Sequence, residues 1–164
     1  MTRTICALIL VVGCASPTPP EVGDAVVPGE GIGAARLEMR YAEVREALGE
    51  PQGEFINQRL GFARFADGIE LVLASPEAGS IVDEAIVVGV GASEATRLAG
   101  TVVPGASRAS VEAELGPAPD VTESLEFYPQ GLSLEYDGDV VLRVGVVPPY
   151  ERHPDVPPMR SATE

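Results

Sequence analysis

Two stretches of the chain decide how it is read: Tyr41-Ala42-Glu43-Val44-Arg45-Glu46-Ala47-Leu48-Gly49 and Arg108-Ala109-Ser110-Val111-Glu112-Ala113-Glu114-Leu115-Gly116. Val, Leu and Gly fall at the same offsets, and Pro follows both, as Pro51 and as Pro117 and Pro119. Two further pairs keep the same order. Phe65–Leu71 aligns with Tyr128–Leu134 through Gly68 and Gly131, and Ile86–Val90 aligns with Leu142–Val146. Three matched blocks in series indicate a unit used twice.

Each block has a physical meaning. Val44 and Leu48, like Val111 and Leu115, are four residues apart and share one face of a short helix. Gly49 and Gly116 supply a left-handed stop, and proline beyond prevents continuation. Ser107 is a good N-cap, whereas Arg40 at the matching place offers no acceptor. Helices this short are marginal alone and must lie on a sheet.

Ile69, Leu71 and Leu73 alternate with Glu70 and Val72, and Leu132, Leu134 and Tyr136 alternate with Ser133 and Glu135. Period two with one polar face predicts half-buried antiparallel strands. Ala66-Asp67-Gly68 and Pro129-Gln130-Gly131 read as three-residue hairpin loops, and Asp137-Gly138 as a two-residue signal. The matching first connection, Ala74–Ser80, is longer, and Ser93–Leu98 can form an extra helical turn. The expected fold is α+β: two tandem repeats, 31–91 and 92–147. Each is a short helix followed by a three-stranded meander, and they share a sheet of about six strands with helices on one face.

The chain has 164 residues, 25 acids against 11 bases, 4 Tyr, 4 Phe and no Trp. Its core is therefore thin and aliphatic, and its formal charge of −14 argues against nucleic-acid binding. Residues 1–13 read as a signal peptide: Arg3, an apolar run Ile5–Val12, then Gly13 before Cys14. The run is too short to span a bilayer. Val11-Val12-Gly13-Cys14 resembles a bacterial lipobox, which implies that Cys14 becomes the acylated N-terminus, palmitate included. The alternative is an ordinary signal peptide cut a few residues later. By the sorting rules of such lipoproteins, Ala15 after the cysteine implies the outer membrane, facing the periplasm. Residues 14–30, with Pro17, Pro19, Pro20 and Pro28, read as a tether, and 148–164 as a proline-rich irregular tail holding the sole histidine, His153. The mature chain would carry about −15 and no free thiol, so anionic lipid repels it and only the acyl group holds it.

Gly31-Ile32-Gly33, Leu37-Glu38-Met39-Arg40, Val44, Leu48-Gly49 and Pro51 resemble the opening motif of the SmpA/OmlA (BamE-like) lipoproteins and of the related β-lactamase-inhibitor-protein-like fold. Pro104-Gly105-Ala106-Ser107, Val111 and Leu115-Gly116 repeat it. Glu38 stands where that family has Gly, Arg40 where it has Thr or Ser, and Ala106 where it has Met. The resemblance implies helices on one face of an antiparallel sheet and recognition of a protein surface. It transfers no catalytic residue.

No chemistry-bearing constellation emerges. No histidine lies in the domain, no lysine exists, and no Ser sits in a nucleophile elbow. Asp137-Gly138-Asp139 lacks the other ligands of a calcium loop, and Gly89-Val90-Gly91 lacks phosphate-loop spacing. The chain reads as a non-enzyme without cofactor or metal. The exposed sheet side, with Glu70, Val72 and Val87 in the first copy and Ser133, Glu135, Arg143 and Val147 in the second, is either a docking patch or covered by another element. Arg64 and Arg143 are cations that either anchor a partner or balance neighbouring acids.

The candidate partner-binding residues are Asp67, Glu70, Val72, Ser133, Glu135, Asp137 and Arg143. The leading expectation is a lipid-anchored envelope protein that binds or scaffolds another envelope protein. Its rival is an inhibitor of a periplasmic or secreted hydrolase, which a concave sheet with protruding tips at Asp67 and Asp137 would favour. A small-molecule sensor needs a pocket of about 300 Å³ or more, which the thin core disfavours.

Overall fold

A computed structural model describes residues 24–57, 59–75, 82–93, 98–122 and 124–151. The elements are β1 (Asp24–Val27), β2 (Gly31–Ile32), β3 (Ala35–Arg36), α1 (Tyr41–Leu48), β4 (Gly53–Ile56), β5 (Leu60–Arg64), β6 (Ile69–Ala74), β7 (Ile86–Ala92), β8 (Leu98–Ala99), α2 (Arg108–Leu115), β9 (Asp120–Val121), β10 (Leu125–Tyr128), β11 (Leu132–Asp137) and β12 (Val140–Val146). A single 3-10 turn, Val82–Glu84, precedes β7. The fold is α+β and dominated by strands.

The main sheet has eight antiparallel strands in the order β4-β5-β6-β7-β12-β11-β10-β9. Each helix is thus followed by four of its strands, not the three expected, and the total is eight rather than about six. The added strands, β4 and β9, sit at the two edges. Gly53-Glu54-Phe55-Ile56 is mostly exposed and β9 has two residues, so neither carries the buried alternation that reveals a strand in sequence. The strands β7 and β12 join the halves, with Gly91 opposite Gly145.

A second, four-stranded sheet, β3-β2-β1-β8, was not expected at all. It includes Asp24–Val27, so the segment read as a tether to residue 30 is structured from Asp24 onward. A turn closes with the Glu30 N–H donating to the Val27 carbonyl at 3.0 Å. Leu98, expected to end a helical turn, instead begins β8, which runs parallel to β1. Residues 94–97, most of the Ala74–Ser80 connection, the signal segment, Cys14 and His153 lie outside the described residues.

One apolar cluster holds these layers together. Ile69, Leu71 and Leu73 of β6 and Leu132, Leu134 and Tyr136 of β11 meet Tyr41 and Val44 of α1, Val111 of α2, and Ile32 and Ala35 of the small sheet. The helices start differently. Ser107 Oγ accepts the Ser110 N–H at 3.2 Å, whereas at α1 the Glu43 carboxylate accepts the Arg40 N–H at 2.9 Å, the return half of a capping box. Both stop at a glycine of positive φ, Gly49 at 84° and Gly116 at 77°.

Matching hydrogen bonds dock both helix starts on the sheet. Glu38 N–H donates to the Val87 carbonyl and Gly105 N–H to that of Val141, both at 2.8 Å. Val87 N–H in turn donates to Met39, and Val141 N–H to Ala106. These bonds put Val87 and Val141 in corresponding places, two residues away from the alignment expected of Ile86–Val90 with Leu142–Val146. A slip of two keeps every side chain on its face, so hydrophobic pattern alone does not register one strand on another. They also show Val87 to be 1% exposed and core-facing, not on the open side.

Glu38 is the non-glycine residue with positive φ, 66°, among the described residues; its counterpart Gly105 has φ 88°. A left-handed L-residue costs roughly 1–2 kcal/mol, part of which glycine's extra unfolded-state freedom takes back. Glu38→Gly is therefore expected to raise stability by about 0.5–1 kcal/mol, read as a higher urea midpoint at constant slope.

Three buried phenols predict the alkaline limit. Burial pushes Tyr128 up to about 12, and raises Tyr41, helped by its 2.7 Å hydrogen bond to Glu54, and Tyr136. An unfolded tyrosine ionises near pH 10, so between there and the folded value the native state holds more protons. That stability is complete below pH 10 and falls as pH rises toward 12. Chemical unfolding at stepped pH is expected to show this decline, and Tyr128→Phe to make it shallower.

Candidate binding face

The helices and the small sheet occupy one side of the large sheet, and the other side forms a concavity of about 670 Å³. Its lining consists of strand residues of the large sheet plus Val147, which directly follows β12. The shape follows from glycine. Gly89, Gly91 and Gly145 lie where β7 meets β12 and put bare backbone at the floor. A Cβ at Gly145 would collide with Ser133 Oγ and one at Gly89 would come 3.3 Å from Val72, but one at Gly91 would have its nearest neighbour, Arg143 Cδ, at 3.7 Å.

Alternation aims the expected residues here. Glu70 and Val72 on β6, Ser133 and Glu135 on β11 and Arg143 on β12 all line the concavity. Asp67 and Asp137 do not. They belong to the hairpin turns β5–β6 and β11–β12, which the strand register places at the same end of the sheet. Gly68 (φ 74°) and Gly131 (φ 93°) make the left-handed positions of the two three-residue loops. In the tight turn after Asp137 the central pair is Gly138-Asp139, with positive φ at Gly138 (60°) and not at Asp139, the II′ pattern.

Arg143 is the hub of the polar centre. Its Nε lies 3.0 Å from Glu70 and its Nη1 3.0 Å from Glu135, while Arg64 Nε approaches Glu70 at 3.9 Å. Two cations and two carboxylates cancel. All four side chains are between about a quarter and a half exposed, so each pair contributes at most about 1 kcal/mol to folding. The cluster instead holds Arg143 in one orientation over the glycine floor.

Sequence reasoning missed the apolar wall. Phe55 and Phe62 face each other across β4 and β5 and remain 63% and 49% exposed. The signal was present in β5, where Gly61 and Ala63 are buried while Leu60, Phe62 and Arg64 point away, so the large residues mark the open face. The cavity volume also exceeds what the aromatic-poor composition led one to expect, because it forms outside the core, over glycines. Among the described residues no cluster of His, Cys, Asp and Glu fit for a metal occurs, and no helix is long and apolar enough to cross a membrane.

No protein-family model, curated protein or solved structure matches this chain.

Proposed function

We propose that the chain is a lipid-anchored, non-enzymatic binding module whose open sheet face takes a protein partner in the cell envelope, at the outer membrane facing the periplasm. The observation that carries this reading is the concave face itself: two half-exposed phenylalanines, a glycine floor and a charge-balanced Arg143 cluster, the mixture of aromatic and guanidinium anchors typical of protein hot spots. The two halves are read as copies of one helix-plus-meander unit, supported by their matching docking bonds and joined sheet. Kinship with the SmpA/OmlA and inhibitor-like lipoproteins rests on the motif residues and on Gly105 and Glu38 sharing a left-handed backbone.

Two measurements test the reading. Cys14→Ser is expected to move the protein from the membrane to the soluble fraction, and continued membrane association would remove the anchor. A photoreactive side chain at Phe62 is expected to yield one stoichiometric crosslinked protein in living cells, while the same group at Glu46 on α1 yields none; equal or absent crosslinking at both sites would remove the binding face. A second reading, inhibition of a periplasmic or secreted hydrolase, is favoured by the Asp67 and Asp137 turns lying at one end of the concave sheet. It would show as a crosslinked hydrolase whose activity the pure protein blocks.

A further inference from the structure

The two edges of the large sheet are unequal. At β9 the edge is two residues long, and the Tyr150 hydroxyl donates to the Asp120 carboxylate there at 2.8 Å, tying Tyr150 beside it. At β4 the edge is four residues long, and no described strand pairs with its far side. Asn57 N–H donates to the Leu60 carbonyl at 2.9 Å, which sets the alternation: Phe55 and Phe62 form a hydrogen-bonded pair, and the N–H and C=O of Glu54 and Ile56 point outward. β4 contains no Lys or Pro and keeps an unshifted register with β5; its one charged residue, Glu54, is turned to the helix side, where its carboxylate accepts the Tyr41 hydroxyl.

The second half supplies an internal control. The register that sets Phe62 against Val72 sets Leu125 against Glu135, and both Val72 and Glu135 sit beside a one-residue bulge in the neighbouring strand. The place of Phe62 is therefore taken by Leu125, and that of Phe55 by Thr122. Among the described residues the exposed phenylalanines, Phe55 and Phe62, lie in the half whose edge is long and unpaired, while Phe127 of the other half is only partly exposed. With a formal charge of −14, two copies of this chain repel, whereas a cationic segment is drawn in.

We propose that β4 is the docking edge for an extended, Lys- or Arg-bearing segment of a protein partner. This inference rests on the sheet-face reading and narrows it to a partner type. The segment adds as a ninth strand, bonding the outward groups of Glu54 and Ile56, and lays alternate apolar side chains beside Phe55 and Phe62.

The probe is an amidated peptide alternating valine and lysine, with a valine–glutamate peptide as its counterpart, and the readout is amide hydrogen exchange at Glu54 and Ile56. The lysine peptide is expected to slow both amides at least about tenfold at saturation and the glutamate peptide to leave them unchanged. Glu54→Pro removes an outward N–H that no described strand accepts. It is expected to abolish the effect at a urea midpoint matching that of Glu54→Ala, which controls for the lost Tyr41 contact. No slowing, equal slowing by both peptides, or slow amides without peptide in a sample that sediments as a dimer would each overturn the edge. Partner crosslinking from Phe62 that survives Glu54→Pro would also overturn it, while leaving the sheet-face reading in place.

Discussion

Arg108→Met is expected to destabilise the domain by about 3 kcal/mol, among the largest single losses available in this chain. Glu126 is 4% exposed in the middle of β10, and its carboxylate is held by the Arg108 guanidinium and by the Tyr128 hydroxyl at 3.2 Å. Arg108 also lies over the Tyr136 ring, its guanidinium carbon 3.9 Å from the ring centre. Removing the cation strands a carboxylate in an apolar layer. Arg108 is itself about one-third exposed, which places the loss at the low end of the range for breaking a buried pair. The first half shows the alternative. There the helix opens with Tyr41, and Ala63 sits opposite Leu71 as Glu126 sits opposite Leu134. Replacing both partners with apolar groups, Arg108→Met with Glu126→Leu, is therefore expected to recover most of the loss. Guanidinium unfolding of the two single variants and the double checks this, and a double variant as unstable as the sum of the singles would show that the pair is not the source.

How much of this was legible in the sequence depends on whether a residue's role is local. The helices, their glycine stops and the loops at Gly68 and Gly131 were legible because 3.6-residue and two-residue periods and left-handed positions are properties of a few neighbouring residues. So was the open-face placement of Glu70, Val72, Ser133, Glu135 and Arg143, which follows from alternation alone. Val87 was misplaced because a bulge at Val88 breaks that alternation, with Val72 opposite Gly89 but Leu73 opposite Val87. The small sheet was missed because Asp24–Val27 is held by β2 and β8, whose two residues each carry no periodic signal. The Arg108–Glu126 pair joins a helix start to a strand 18 residues later, and the concavity needs β7 and β12 brought side by side. Neither is a property of any short window. Arg64 and Arg143, read as either anchors or charge balance, turn out to share Glu70, so the balancing of neighbouring acids is what the geometry shows.

The other large effect is expected at the floor of the concavity. Gly91→Leu places a branched side chain where only backbone now lies, directly beside Arg143 and above the β7–β12 seam. Its Cβ meets nothing closer than 3.7 Å, so the folded chain admits the start of a side chain there, and the concavity lies open to the rest; leucine in a strand also replaces a residue that weakens it. Stability is expected to change by less than about 1 kcal/mol. Binding is expected to fail. Protein interfaces concentrate their energy in a few central, water-excluded contacts worth about 2–4 kcal/mol each, and filling that centre removes the partner's anchor rather than a rim contact. A loss of about 3 kcal/mol is more than a hundredfold in affinity. Crosslinking from Phe62 should therefore disappear in Gly91→Leu cells while the protein remains at normal abundance in the membrane fraction. Gly49, the glycine that ends α1 with open space around it, supplies the contrast: its replacement by alanine strains a left-handed residue and lowers stability, yet leaves the concavity unchanged. A crosslink lost in Gly49→Ala and kept in Gly91→Leu would mean that crosslinking follows stability and not the floor of the concavity. The reverse pattern separates a site from a scaffold, because the stable variant is then the one that cannot bind.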